Sequence, residues 1–468
     1  MKKSPWLIFI LVAIAQFMVV LDNAITNVAL PSIQRALHFG GSSLSWVVTA
    51  YALCFGGFLL LGGRTADLFG RRRVLLTGMI AFTLFSLLIG LSQSPIQLVA
   101  LRALQGMSAA FMSPAALSIV LVTFGNERER GRALGYWTLV ATGGAAVGVL
   151  LGGVLTQYFG WRWNFFINVP IGAVISILIA KFVPAHAREE KRISMDLPGA
   201  TLITAALMSL VFAFSQAPQW GWLNGKTLGI FGGALVLLAV FIWNESRARH
   251  PLMPLNIFKI RNVTGANLVM APVYAGMLGG FFLTTLYLQG TLHYSPVITG
   301  LSFLPFPILL GFMSTRIPKL VATYGYRRFL IAGPLLVAIG SLWLSRLHTD
   351  SNYLTGVLPA FIIMPLGMGM TFMPTIAAAT SGVPAHESGL ASGLITTSQM
   401  MGGALGLAVL SGIAASATAS ASRLGFSEAT MRGYHVAFLA DVLFMLLAAG
   451  VALLVIRQKN RQPQPAKA

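Results

Sequence analysis

Charge is what this sequence has least of. Only 9% of its residues are Asp, Glu, Lys or Arg, against 56% hydrophobic ones. Soluble domains carry about 25% charged residues, so an ordinary soluble domain is excluded. Acids are the scarcer sign, with 12 Asp and Glu against 32 Lys and Arg. In a soluble chain such an excess would suggest nucleic acid. Here the basic residues sit in short loops between apolar runs, where they report topology instead, and no nucleic-acid partner is expected. Cysteine is nearly absent: a single Cys54 excludes internal disulfides and Cys-built metal sites. Its apolar surroundings predict an inert buried thiol. The seven histidines show no paired ligand spacing, so no metal is expected. No phosphate-binding loop occurs, so no nucleotide cofactor is expected. No convincing catalytic cluster appears, and the chain is not read as an enzyme.

What is present is length of apolar sequence. Fourteen runs are long enough to cross a bilayer, which needs about 20 apolar residues each. The first lies near 6–30 and the last near 434–456, and together they predict an all-α polytopic membrane protein. Lys2 and Lys3 before the first run imitate a signal peptide. The run continues past Ala13-Ile14-Ala15, so an uncleaved first helix is expected. An even number of spans places both chain ends on one side. Of the 32 basic residues, 25 fall on that side and 6 opposite, which predicts both termini in the cytoplasm and the chain in the cytoplasmic membrane.

The stretch Gly63-Arg64-Thr65-Ala66-Asp67-Leu68-Phe69-Gly70-Arg71-Arg72-Arg73 reads as a basic cytoplasmic turn between two spans. It has an echo: Gly70-Arg71-Arg72-Arg73 through Gly78 returns as Gly325-Tyr326-Arg327-Arg328 through Gly333. Gly106 to Met112 matches Gly367 to Met373, and the glycines 131, 135, 144 and 148 match 389, 393, 402 and 406. These echoes keep one order and nearly one spacing. They predict two six-helix halves, 1–183 and 262–457, repeated in parallel. Between them, 184–261 holds a charged loop (Ala187 to Asp196) and two extra spans, and 458–468 is a cytoplasmic tail. A duplicated glycine-rich bundle suits two bodies rocking about a central cavity.

Acids at membrane depth are costly and therefore informative. Only Asp22 and Asp441 fall well inside spans. Asp22 shares a helix face with Thr26 and adjoins Asn23. Burial favours a neutral carboxyl and a neighbouring cation favours a charged one, which is the chemistry of a proton-coupled site. An Asp held merely for packing is the alternative. Arg102, in the fourth span, either pairs with Asp22 or snorkels to the outer surface. Asp441, a third of the way along the last span, is expected to be structural. Gly144, Gly148, Gly152 and Gly153 form a surface of small residues, as a hinge or seal or for packing alone. Trp161-Arg162-Trp163 straddles the outer interface, where aromatic anchors are expected. Candidate cavity groups are Asn23, Thr26, Gln105, Tyr136, Asn267, Tyr274, Tyr287, Thr396 and Gln399, with Trp46, Tyr51 and Gln289 also polar or aromatic. With 30 Phe and 19 Met, they suggest an adaptable apolar pocket.

These motifs resemble the Major Facilitator Superfamily, and within it the fourteen-span drug:proton antiporters. Gly63-x3-Asp67-x2-Gly70-Arg71-Arg72 resembles the superfamily's loop 2–3 signature. Leu21-Asp22 to Pro31 resembles the span-one motif of the fourteen-span group, and Arg102-x2-Gln105-Gly106 the span-four motif whose arginine is linked to proton coupling. Gly144 to Gly153 is similar to the span-five antiporter motif, with Val149 where proline is usual; Trp161-Arg162-Trp163 with Asn168-Val169-Pro170 resembles the segment that follows it. The resemblance implies alternating access, export driven by proton influx, and amphipathic or cationic small-molecule substrates. It implies that Asp67 latches against the other half and that Arg71 meets Glu127 or Glu129 at the end of span four. A dedicated exporter or symporter of an amino acid, sugar or siderophore is the competing reading. A receptor or membrane enzyme would need a catalytic cluster or a larger extramembrane domain.

Overall fold

In lipid, a chain satisfies its backbone polar groups by coiling into helices. Among the described residues, fourteen helices are long and apolar enough to span a membrane. In order they are α1 (Pro5–Leu37), α2 (Ser43–Phe69), α3 (Arg71–Gly90), α4 (Pro95–Thr123), α5 (Glu129–Tyr158), α6 (Trp163–Phe182) and α7 (Leu197–Trp220). Then follow α8 (Gly225–Arg247), α9 (Arg261–Thr291), α10 (Pro296–Tyr324), α11 (Tyr326–Leu344), α12 (Tyr353–Thr380), α13 (Gly389–Ser420) and α14 (Phe426–Leu454). No strand occurs among the described residues. The chain is a multi-pass, all-α membrane protein. This computed structural model describes residues 4–40, 43–124, 126–184, 196–248, 251, 253–384 and 388–457. The tail 458–468, the Glu127 side chain and all of the charged loop except Asp196 lie outside the described residues.

Several helices run further than expected. The first continues through Pro31 to Leu37 and stops at His38, whose φ is 54°. The last begins at Phe426, which moves Asp441 from a third of the way along its span to the middle. The expected basic turn at Gly63–Arg73 is not a loop. Helix α2 continues to Phe69, α3 starts at Arg71, and the whole reversal is made at Gly70 with φ 93°. Gly325 makes the same break between α10 and α11 with φ 79°. Glycine takes such a left-handed angle without a side-chain penalty. The sequence echo is thus an echo of one backbone device.

The packing pairs repeat as well. Helix α1 packs on α4, α5 and α6, and α9 packs on α12, α13 and α14. Likewise α3 packs on α4 and α6, as α11 does on α12 and α14, and α2 on α4 parallels α10 on α12. Two seams join the first six helices to the last six. The α2–α13 seam is covered by the extra hairpin, with α7 touching both helices. Gly57 of α2 lies directly against Thr204, and a methyl group at Gly412 of α13 would stand 2.9 Å from the Phe214 carbonyl. Trp222 donates from Nε1 to Ser416 Oγ at 3.2 Å. Near the chain ends, Arg64 donates to the Pro251 carbonyl and lies within electrostatic reach of Glu245 and Asp196. The extra hairpin therefore braces one seam of the bundle.

The opposite seam, α5–α10, is a wedge. On the face away from the chain ends, a methyl group at Gly153 would stand 2.6 Å from the Pro296 carbonyl, and Gly300 backs directly on the Val149 carbonyl. Midway, a methyl group at Gly311 would stand an ordinary 3.6 Å from Thr142. Towards the chain ends, Gly135 and Gly131 face open space. Small residues let the helices close at one end, and the seam opens steadily toward the other.

Candidate functional site

Asp22 and Arg102 meet. Both are fully buried, and Arg102 Nη1 donates to Asp22 Oδ2 at 2.5 Å. Snorkelling is thereby ruled out for Arg102, because neighbouring helices enclose it. The other carboxylate oxygen, Oδ1, accepts from Gln105 Nε2 at 3.0 Å and from Asn168 Nδ2 at 2.9 Å. Gln105 Oε1 accepts in turn from Arg102 Nη1 at 2.6 Å, and Gln105 Nε2 also lies 2.8 Å from Ser86 Oγ. Arg102 Nε donates to the Val47 carbonyl at 3.0 Å. Side chains of α4 and α6 thus reach the α1 carboxylate directly, with Ser86 of α3 behind them and α2 supplying a carbonyl to Arg102. A buried ion pair holds only where geometry and further hydrogen bonds compensate its lost hydration. Here both carboxylate oxygens are satisfied.

Tyr51 is the wall between this pair and the centre of the protein. The Arg102 guanidinium lies 4.3 Å from the centre of the Tyr51 ring, a cation–π distance. The same ring lines a cavity of about 460 Å³ between the first six and the last six helices. Helices α1, α2, α4 and α5 line one side, and α9, α10, α12 and α13 the other. Its polar lining includes Gln16, Asn23, Asn27, Ser113, Thr138 and Thr396. Its aromatic lining includes Phe55, Tyr274, Phe281, Phe303, Phe306 and Phe372. No charged side chain lines it among the described residues. Such a chamber can hold an apolar or aromatic molecule, and can meet a cation with ring faces and dipoles but not with a carboxylate.

Of the cavity residues expected from sequence, Asn23, Tyr51, Tyr274 and Thr396 line it. The others do not, each for a physical reason. Gln105 is turned into the Asp22 network. Thr26 is fully buried and donates to the Asp22 backbone carbonyl at 2.6 Å. Tyr136 stands on the outer side of α5 against Trp6 and Phe9. Asn267 bonds along its own helix to Val263 and accepts from Ser398. Tyr287 donates to the His348 carbonyl at 2.8 Å. Gln399 lies on α13 off the lining. Trp46 packs on Phe212 of the extra hairpin, and Gln289 reaches across to the Val28 carbonyl. Asn168 and Ser86, which complete the Asp22 network, carried no signal as acid ligands beyond their polarity.

The glycines of α5 do pack closely. A methyl group at Gly152 would stand 2.8 Å from Ile25 Cα, one at Gly148 2.5 Å from Ala24 Cβ, and one at Gly144 3.3 Å from Phe17 and Val20. They seat α5 on α1, while Gly153 faces α10. In the expected latch, Arg71 at the start of α3 pairs with Asp67 at the end of α2 at 3.5 Å across the Gly70 break, and Arg72 donates to the Ala180 carbonyl. Gly63 packs loosely, with Pro114 the nearest atom to an added methyl at 3.8 Å.

Fourteen apolar spans around a central chamber define a membrane transport protein. The sequence profile of the Major Facilitator Superfamily matches residues 12–407, and the chain belongs to that family. It is 40% identical over 464 residues to a puromycin resistance protein of Streptomyces alboniger, covering 97% of this chain and 92% of the relative. It is 39% identical over 443 residues to a cephamycin export protein of Amycolatopsis lactamdurans, covering 94% and 90%. A tetracenomycin C resistance and export protein of Streptomyces glaucescens is 33% identical over 485 residues, covering 97% and 89%. Among solved structures, a bacterial homologue of the human lysosomal transporter Spinster, inward-facing and unoccupied, superposes with a TM-score of 0.70 at 15% identity, covering 97% of each chain. At that identity the likeness speaks for the fold alone. The chain is a secondary transporter of the drug-export and drug-resistance type, and not an enzyme.

Proposed function

We propose that this protein exports lipophilic, amphipathic or cationic toxic compounds through the central cavity, in exchange for protons carried by Asp22. One observation carries the reading: a fully buried carboxylate, paired to Arg102, stands a single aromatic ring away from the cavity. In the present state Asp22 is paired and the α5–α10 seam is open toward the chain ends. With both ends cytoplasmic, as the charge asymmetry supports, this is the inward-open state with its proton delivered. A drug enters from the cytoplasm or inner leaflet and beds on the rings of Tyr274, Phe281 and Phe306. The bundles 1–183 and 262–457 then rock, the Gly153–Pro296 and Val149–Gly300 contacts part, and the drug leaves outward. A proton from outside neutralises Asp22 and frees Arg102, and the empty transporter returns. Gly144, Gly148 and Gly152 keep α5 on α1 throughout, so that movement at the seam reaches Asp22. Gly63, Asp67, Gly70, Arg71 and Arg72, with Glu127, form the latch that holds the alternate state.

The test uses purified protein in liposomes with an imposed proton gradient and a pH-sensitive dye inside. Ethidium, then puromycin, are added to wild type and Asp22→Asn. Drug-induced proton flux that the substitution abolishes is the expected result; wild-type protein moving neither drug overturns the reading. A second reading, export of one dedicated compound, is favoured by relatives named for single antibiotics. It requires that one ligand be transported and that dyes fail to compete with it.

A further inference from the structure

A second buried acid stands in the last six helices. Asp441 is at the middle of α14, fully buried, and faces α9 and α11, on a helix that packs on α9, α11 and α13. Among the described residues its only bonding partner is the Ser341 hydroxyl of α11, with Oγ 2.6 Å from Oδ2, and Oδ1 has none. On the Oδ1 side, α9 presents Gly276 so closely that an added methyl group would collide with that oxygen.

Counting hydrogens decides the charge. Ser341 has one hydroxyl hydrogen but two oxygens within reach, Asp441 Oδ2 and the Val337 carbonyl at 3.1 Å. If the carboxyl is charged, Ser341 must spend its hydrogen there, and Oδ1 remains a bare anionic oxygen without a donor. If the carboxyl is neutral, it donates from Oδ2 to Ser341, Ser341 donates to Val337, and both hydrogens are used.

Among the described residues, no cation is placed to favour the charged form. Helix α13 contains no ionisable side chain at all. On α11 the ionisable groups are Tyr326, Arg327 and Arg328, and Arg328 is about 20 Å of helix from Ser341. On α9 they are Arg261, a similar distance from Gly276, Tyr287 far along the helix, and Tyr274, which lines the cavity. On α14 itself Glu428, Arg432, Tyr434 and His435 lie toward the far end, His435 bonded to the Leu347 carbonyl, and Arg423 is exposed beyond them. A buried charge with no partner is the most expensive arrangement available, so the acid keeps its proton.

We propose that Asp441 is a second proton-binding site, loaded in this conformation and emptied when a drug occupies the cavity. The connection is α9. Tyr274, Met277, Leu278 and Phe281 on one face line the cavity, while Gly276 on another closes over Asp441. A drug bedded against α9 displaces it from α14, water reaches Oδ1, and the proton leaves as hydronium. The proposal rests on the cavity being the drug site and is independent of Asp22.

Infrared difference spectroscopy of the full-length protein in detergent tests it. The carboxylic-acid C=O stretch, identified by its shift in D₂O, is compared between wild type, Asp441→Asn and Asp22→Asn near neutral pH, with and without saturating ethidium. Wild type and Asp22→Asn are expected to show a band that Asp441→Asn lacks, and ethidium is expected to remove it. Ser341→Ala should retain the band but shift it, since the hydrogen-bond acceptor is gone. Identical spectra for wild type and Asp441→Asn overturn the site. A band that survives ethidium in a protein that binds the dye overturns its emptying. An Asp22→Asn protein that keeps the band but lacks drug-driven proton flux would leave this proposal standing.

Discussion

The two fully buried acids, Asp22 and Asp441, sit at equivalent risk and are handled in opposite ways. Asp22 is matched by Arg102 and by the amides of Gln105 and Asn168, so its charge is shared with donors from two other helices, α4 and α6. Asp441 is matched by one hydroxyl and a glycine. The first arrangement holds a carboxylate, and the second holds an acid. Depth in the membrane alone therefore does not fix what a buried carboxyl does; the number and charge of its donors does.

The sharpest way to break this comparison is to remove the cation. Arg102→Ala leaves Asp22 buried and unpaired, which is expected to cost about 3–5 kcal/mol. Thermal unfolding in detergent should show a large drop, and adding Asp22→Asn should recover much of it. A drop no larger than that of Asp441→Asn would mean the two acids do not differ as described. Next, Gln105→Ala removes a donor to a charged oxygen and should cost about 1.5–3 kcal/mol. Gly276→Ala forces a methyl group onto Asp441 Oδ1, an overpacking worth about 1–3 kcal/mol; Asp441→Ala in the same chain should relieve it. Ser341→Ala should be mildest, about 0.5–1.5 kcal/mol by the same unfolding measurement, because the acid it leaves behind is neutral. If Ser341→Ala proved as costly as Arg102→Ala, Asp441 would be charged.

The parts of this site that were legible in sequence are those that break the apolar background. Asp22 and Arg102 stand out because charge at membrane depth is rare, and the glycines of α5 because they recur at helical spacing. Fourteen spans followed from run length, and the echoes around Gly70 and Gly325 marked two matching glycine breaks. The cavity lining was not legible, and the reason is the solvent. A helix in lipid is apolar on its outer face and apolar on its inner face, so the periodicity that tells inside from outside in water is lost. Tyr136 and Tyr274 look alike in sequence, yet one is packed on the outer side of α5 and the other lines the chamber. Ser86 was equally silent, and Asn168 stood out only as part of its motif and not as a ligand of Asp22, because neutral polar residues are common in spans and only the convergence of α1, α3, α4 and α6 gives them partners. The Gly70 break shows the converse error: a run of charge imitated a loop where the helices are nearly continuous.

The claim that Asp22 couples rather than merely packs is tested most directly by separating exchange from accumulation. Proteoliposomes bearing wild type or Asp22→Asn are loaded with unlabelled puromycin, and entry of labelled puromycin is followed with no gradient. Accumulation is then measured under an imposed proton gradient. The account predicts that Asp22→Asn keeps the exchange, which needs no proton, and loses the accumulation. Gradient-driven accumulation at the wild-type level in Asp22→Asn would contradict it.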